Sequence, residues 1–144
     1  MITIRGEYEI WKDGVLIDRF HNIITTPVYA FILKAFNGES IDSLDVSYFA
    51  FGTGTTPVAE GDTTLETEVF RKAFTSKSWN GKQFVAICQL STAEANYSIT
   101  EVGIFAGGTI TPDSGTLLSH ALRPIEKNSN ITYNIIYRLN LEEV

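Results

Sequence analysis

The side chains able to do chemistry in this 144-residue chain are few and scattered. Of its two histidines, His21 and His120, only the second has a nucleophile beside it, Ser119. Neighbours on an extended strand point to opposite faces, so Ser119 and His120 make a poor nucleophile–base pair. No serine sits in a nucleophile elbow. Asp62, Glu66 and Glu68 offer oxygens for calcium, but their spacing lacks the alternating ligands and central glycine of an EF-hand loop. Asp62-Thr63-Thr64-Leu65 reads more simply as a turn or a short-helix cap. Gly52-Thr53-Gly54 would suit a phosphate cradle, yet no Gly-Lys-Ser/Thr follows and Pro57 opens the next segment. Two acids can meet from anywhere in a fold, and Glu101 with Asp62 is the carboxylate pair a small glycan hydrolase would use. An acid in unusual surroundings is explained equally well by a structural ion pair. Cys88, between Ile87 and Gln89, has no disulfide or metal partner and reads as a small buried residue. These residue types point to no catalytic site, no metal and no cofactor.

Glu101 stands out because of the strand that must carry it. Residues 97–106 are otherwise apolar or small on both faces, the pattern of a fully buried strand. Ile99, Glu101, Gly103 and Phe105 fall on one face, and Thr100, Val102 and Ile104 on the other. A carboxylate between Ile and Phe needs a cationic or hydrogen-bonding partner. Arg71, on a strand face with Val69 and Ala73, is the expected one, making Arg71–Glu101 a structural ion pair of the core.

The remaining elements are expected around that strand. Residues 2–11 alternate, with Ile2, Ile4, Tyr8 and Ile10 on one face, and Asp13-Gly14 suits a type I′ hairpin turn into a strand over 15–20. Thr26 and Pro27 open a helix with Thr26 as its cap, and Asn37-Gly38 supplies its left-handed stop. Val28, Phe31, Ile32, Ala35 and Phe36 recur at helical spacing and form a face that packs on the sheet or on a neighbouring subunit. Strands are expected at 46–51, 69–79, 82–91, 97–106, 116–122 and 131–141, with a hairpin at Asn80-Gly81. The loop after Phe51 reads as too polar and glycine-rich for the core, and 107–115 as a flexible loop. Phe84, Ala86, Cys88 and Leu90 share a face, and the alternation from Ile131 to Leu141 is the clearest in the chain. The expectation is a mainly β fold, an antiparallel β-sandwich of about eight strands with one N-terminal α-helix. It spans 1–144 as a single domain, a hairpin plus helix over 1–38 and a β body over 46–144, with a loop at 37–44.

Hydrophobic residues make up 44 % of the chain, enough for a core without disulfides, and the formal charge is −6. That acidity argues against binding a phosphate backbone, which needs clustered Lys and Arg, so no nucleic-acid partner is expected. The N-terminus lacks a signal-peptide pattern and no stretch approaches a membrane span, so synthesis in the cytoplasm without membrane insertion is expected. Tyr29 on the helix and Trp79 beside the Asn80-Gly81 turn are aromatics that exposure would turn into contacts for a partner or a sugar.

Four blocks of the β body resemble a segment of tailed-bacteriophage virion proteins of the tail-fibre-like or baseplate-associated kind. They are Phe51-Gly52-Thr53-Gly54-Thr55-Thr56-Pro57 with Asp62-Thr63-Thr64-Leu65; Glu68-Val69-Phe70-Arg71-Lys72; Ile99-Thr100-Glu101-Val102-Gly103-Ile104-Phe105; and Gly115-Thr116-Leu117-Leu118, Ala121 and Pro124-Ile125-Glu126-Lys127. The final alternating strand completes the pattern, and the resemblance covers roughly residues 46–141. It implies a non-enzymatic structural component of a virion, assembled in the host cytoplasm with other virion proteins and as a homo-oligomer, a trimer where it serves in a fibre. A capsid decoration or head-fibre protein is the alternative within that class. A host-surface carbohydrate-binding module, meeting glycans near the 107–115 loop, is the alternative outside it.

Overall fold

The structure, a computed structural model, describes residues 1–40 and 44–143. The chain forms β1 (Ile2–Lys12), β2 (Val15–His21), β3 (Ile23–Ile24), α1 (Pro27–Phe36), β4 (Val46–Gly52), β5 (Glu68–Ala73), β6 (Ser76–Asn80), β7 (Gln83–Leu90), β8 (Ser98–Ala106), β9 (Thr116–Glu126) and β10 (Tyr133–Glu143). Two antiparallel sheets result, with strand orders β2-β1-β10-β7-β6 and β3-β9-β8-β4-β5. The sandwich-like, mainly β class agrees with the alternation of the sequence. The strand count does not: ten strands stand where about eight were expected, and the helix is internal, following three strands, rather than N-terminal. Part of the loop expected over 37–44 lies outside the described residues.

The extra strands have local causes. Residues 69–79 read as one strand, but the chain leaves one sheet after Ala73 and joins the other at Ser76, so a single strand-like run serves two sheets. The two-residue β3 is too short to show a period, and exists because Ile23 and Ile24 pair with His120 and Ser119 of β9. The first hairpin turns at Asp13 and Gly14, both at positive φ (47° and 83°), as a type I′ turn requires. The second turns one residue later than Asn80-Gly81 suggests. Asn80 pairs with Gln83, and Gly81 takes φ 57° at the first central position, the type II′ arrangement.

Helix α1 begins at Pro27, where a missing N–H costs nothing. Thr26 is not the expected side-chain cap, since its backbone is already helical and its hydroxyl makes no capping bond; its N–H donates to Glu60 O instead. At the far end Gly38 N–H donates to Ala35 O and Glu39 N–H to Lys34 O, a Schellman stop made by Gly38 at φ 73°. Among the described residues, no helix is long and apolar enough to cross a membrane.

The core lies between the sheets. Phe49, Phe51, Val102 and Ile104 meet Tyr8, Ile10, Cys88, Leu90 and Ile135 there. Phe49 and Phe51 stack at 5.0 Å between ring centroids, and Tyr8 hydrogen-bonds Ser119 Oγ at 2.6 Å. Burial pushes the Cys88 thiol up to about 12. One facing differs from strict alternation. Ile99 joins this core while Glu101 faces outward, because the β8–β9 ladder breaks between Ile99 and Glu101.

The outer face of the second sheet is not left to solvent. Ala50, Phe105 and Leu117 lie on it beneath Leu65. The 53–67 segment therefore folds down as a cover, with Gly54 and Leu65 buried, contrary to its reading as an all-surface loop.

Candidate functional site

Glu101 is fully buried on that outer face, but its partner is not Arg71. Its Oε2 accepts from Gly54 N–H at 2.7 Å and Thr67 N–H at 2.9 Å; its Oε1 accepts from Glu66 N–H at 2.9 Å and lies 2.8 Å from His120 Nε2. His120 Nδ1 lies 2.8 Å from Asp62 Oδ2. Sequence reasoning placed a buried carboxylate here correctly but missed that backbone donors of the covering loop would satisfy it. Glycine at 52 and 54 makes room. A Cβ on Gly52 would stand 2.6 Å from Glu101 Oε2 and from Thr67 O, and one on Gly54 would collide with the same carboxylate. The Gly52-Thr53-Gly54 run is thus clearance for Glu101.

Arg71 and Glu101 sit in the same sheet on either side of β4, yet at different levels. Ala50 lies opposite Arg71 and Gly103, whereas Gly52 lies opposite Glu68 and Glu101. Arg71 closes on its near neighbour: Nε and Nη2 donate to Glu68 Oε2 and Oε1 at 2.6 and 2.8 Å. Its Nη1 donates to Thr109 O and Ser114 O, both at 3.0 Å, and the guanidinium lies 4.5 Å from the Phe105 ring centroid. The expected Arg71–Glu101 ion pair is therefore two separate clusters. One pins the 53–67 segment to the sheet; the other pins the 107–115 loop.

Glu101 and Asp62 do share His120, but the geometry is that of a clamp. Each Glu101 oxygen already holds two partners, His120 is buried, and Ser119 points to the opposite face toward Tyr8. Glu66 is held by Thr56 N–H at 2.8 Å and Glu68 by Arg71, so the acids of the segment are drawn apart. Among the described residues, no three His, Cys, Asp or Glu side chains converge as a metal ion would need.

The surface with something left to bind is apolar, at one end of the sandwich. Along β1 the inward positions run from Ile10 and Tyr8, fully buried, to half-buried Ile4 and exposed Ile2. Along β10 they run from Ile135 and Tyr137 to half-buried Leu139 and exposed Leu141. The alternation continues, but the covering sheet ends. Helix α1 takes its place only in part. Val28 is buried against Ala106 and Leu118, with Phe31 and Ile32 half-buried beside them. Ala35 and Phe36, expected on the same face, are exposed.

What remains is a groove of about 910 Å³ between α1 and the end of the first sheet, lined by Ile2, Phe31, Phe36, Trp79, Phe84 and Leu141 among others. Trp79 is 79 % and Phe36 84 % exposed. Tyr29, 66 % exposed, lies on the same helix, outside the groove lining. The 107–115 loop contributes no aromatic to this surface. Exposed Trp79 and Tyr29 were legible as candidates in the sequence; the groove between helix and sheet was not.

Compared with family models, curated proteins and solved structures, the chain matches none.

Proposed function

We propose that this protein is a non-enzymatic structural component of a tailed-phage particle, at the tail fibre, tail tip or baseplate, working through protein–protein contacts. The observation that carries the reading is the groove beside α1, whose walls are mostly aliphatic and aromatic, with Trp79 and Phe36 exposed at it and Asp45, Lys77 and Lys82 also lining it. Surfaces of that kind on a small domain serve as contacts, because leaving them in water costs roughly 25 cal/mol for every Å². The buried charged residues support the same reading from the other side. Glu101, His120 and Arg71 are spent on holding loops, a role suited to a part that must keep its shape. The resemblance of the blocks from Phe51 to Lys127 supplies the phage particle as the setting.

Immunogold labelling of intact particles with antibody to the recombinant protein tests this. Label at the tail end is expected. Label over the head would replace the tail assignment by capsid decoration, and particles free of label would overturn the virion reading.

A further inference from the structure

Helix α1 carries two apolar stripes and its own fold uses only one. Val28, Phe31, Ile32 and Ala35 follow the i, i+3, i+4, i+7 spacing, and the first three pack inward. Tyr29, Leu33 and Phe36 follow i, i+4, i+7 along the adjoining flank and are 66 %, 65 % and 84 % exposed. Lys34 is the helix's single charge. A helix apolar nearly all round belongs inside a protein, and this one, about 15 Å long, stands at the surface.

We propose that the outer stripe of α1, Tyr29-Leu33-Phe36, seats in the α1 groove of a second copy of this chain; the inference rests on the groove being an assembly surface. Two features select a second copy over another occupant. The first is continuity: Phe36 belongs to the stripe and also lines the groove, so convex and concave surfaces adjoin on one molecule. A foreign segment filling the groove leaves Tyr29 and Leu33 bare. A second copy covers stripe and groove together, and the contact closes as a reciprocal pair or a small ring. The second is area. At roughly 200 Å² for a whole aromatic side chain, Tyr29, Phe36 and Trp79 alone expose about 450 Å². Exposed Ile2, Leu33 and Leu141 bring the patch toward the roughly 800 Å² that each partner gives to a standard interface. The near absence of charge on the helix keeps the desolvation cost of docking low.

The test places a photo-crosslinking amino acid at Leu33 and mixes isotopically labelled with unlabelled protein, so that links between copies are told apart by mass. Light scattering of the unmodified chain is expected to give a discrete oligomer, with Leu33 crosslinked to Trp79, Lys82 or Leu141 of another copy. Leu33→Asp touches a side chain exposed in the single copy, so its fold is expected to persist by circular dichroism. Its association should weaken roughly thirtyfold or more, the loss of a hot-spot contact. Phe36→Asp should do the same. A monomeric wild type overturns the inference, as does an oligomer whose Leu33 links fall outside the groove or that survives Leu33→Asp. None of these results touches the gold labelling, which judges the virion reading separately.

Discussion

Replacing Glu101 by Gln tests the loop clamp most sharply, because it keeps the side chain's size and changes only its hydrogen-bonding character. Oε2 accepts two backbone N–H groups, from Gly54 and Thr67, and Oε1 accepts one from Glu66 while facing His120 Nε2. A glutamine must set its NH₂ where one of these oxygens was. On the Oε2 side it confronts two donors; on the Oε1 side it confronts Glu66 N–H and the His120 ring. On the Oε2 side both contacts are lost. On the Oε1 side only the Glu66 N–H bond must be, because a His120 whose Nδ1–H donates to Asp62 can accept the amide at Nε2. Each bond to a charged acceptor is worth about 1.5–3 kcal/mol. The amide takes the cheaper orientation, toward His120, and the expected loss is roughly 2–3 kcal/mol, a sizeable share of the ~5–15 kcal/mol that stabilises a typical domain. Urea unfolding followed by circular dichroism measures the total, and the melting temperature should fall by roughly 10 °C. Amide exchange localises it: the N–H groups of Gly54, Glu66 and Thr67 should lose protection well before those of β8. A loss below about 1 kcal/mol, or unchanged exchange at those three amides, would refute the clamp.

Arg71→Ala strands Glu68, whose side chain is fully buried, and should cost roughly 3–5 kcal/mol in urea unfolding; Arg71→Lys should recover little, since the fork to Glu68 and the loop carbonyls needs a guanidinium. For Glu9, burial pushes the carboxyl up, but the hydrogen bonds and charges of Arg138 and Arg19 outweigh it and hold the folded value below the ordinary range. Its contribution is therefore complete above about pH 5 and is lost as pH falls through that lowered value, so Glu9→Gln should flatten the acid limb of a stability–pH curve. Cys88, buried and with its thiol pushed up to about 12, should resist a thiol reagent at neutral pH in the folded protein and react fully in denaturant.

The strands were legible where alternation was long. The inward faces of β1 and β10, and Phe84, Ala86, Cys88 and Leu90 on β7, follow from period 2 alone, and the Asp13-Gly14 turn from its positive φ values. The strand count was not legible. A strand-like run that changes sheet at Phe74 and Thr75 looks the same in one dimension as a run that stays. Glu101 shows the same divide at the level of one residue. Its burial could be read from Ile99, Gly103 and Phe105 around it, but its partners are three backbone N–H groups and a histidine 19 residues away. Backbone donors carry no residue signature, so Arg71, a visible cation, drew the assignment instead.

By itself, then, the sequence determined which positions of the long strands face inward, that the chain turns at Asp13-Gly14 and near Asn80-Gly81, that it forms one helix, and that Glu101 and Cys88 are buried. These are properties of neighbours along the chain, set by the two periods of backbone geometry and by the φ tolerance of Gly and Asp. Tertiary structure decided what each buried group meets: Glu101 with the 53–67 segment and His120, Arg71 with Glu68 and the 107–115 loop. It also decided that the inward faces of β1 and β10 outrun the sheet that covers them. Alternation marks Leu141 as inward just as it marks Ile135, and only the length of the opposite layer leaves one buried and the other at the edge of an open groove.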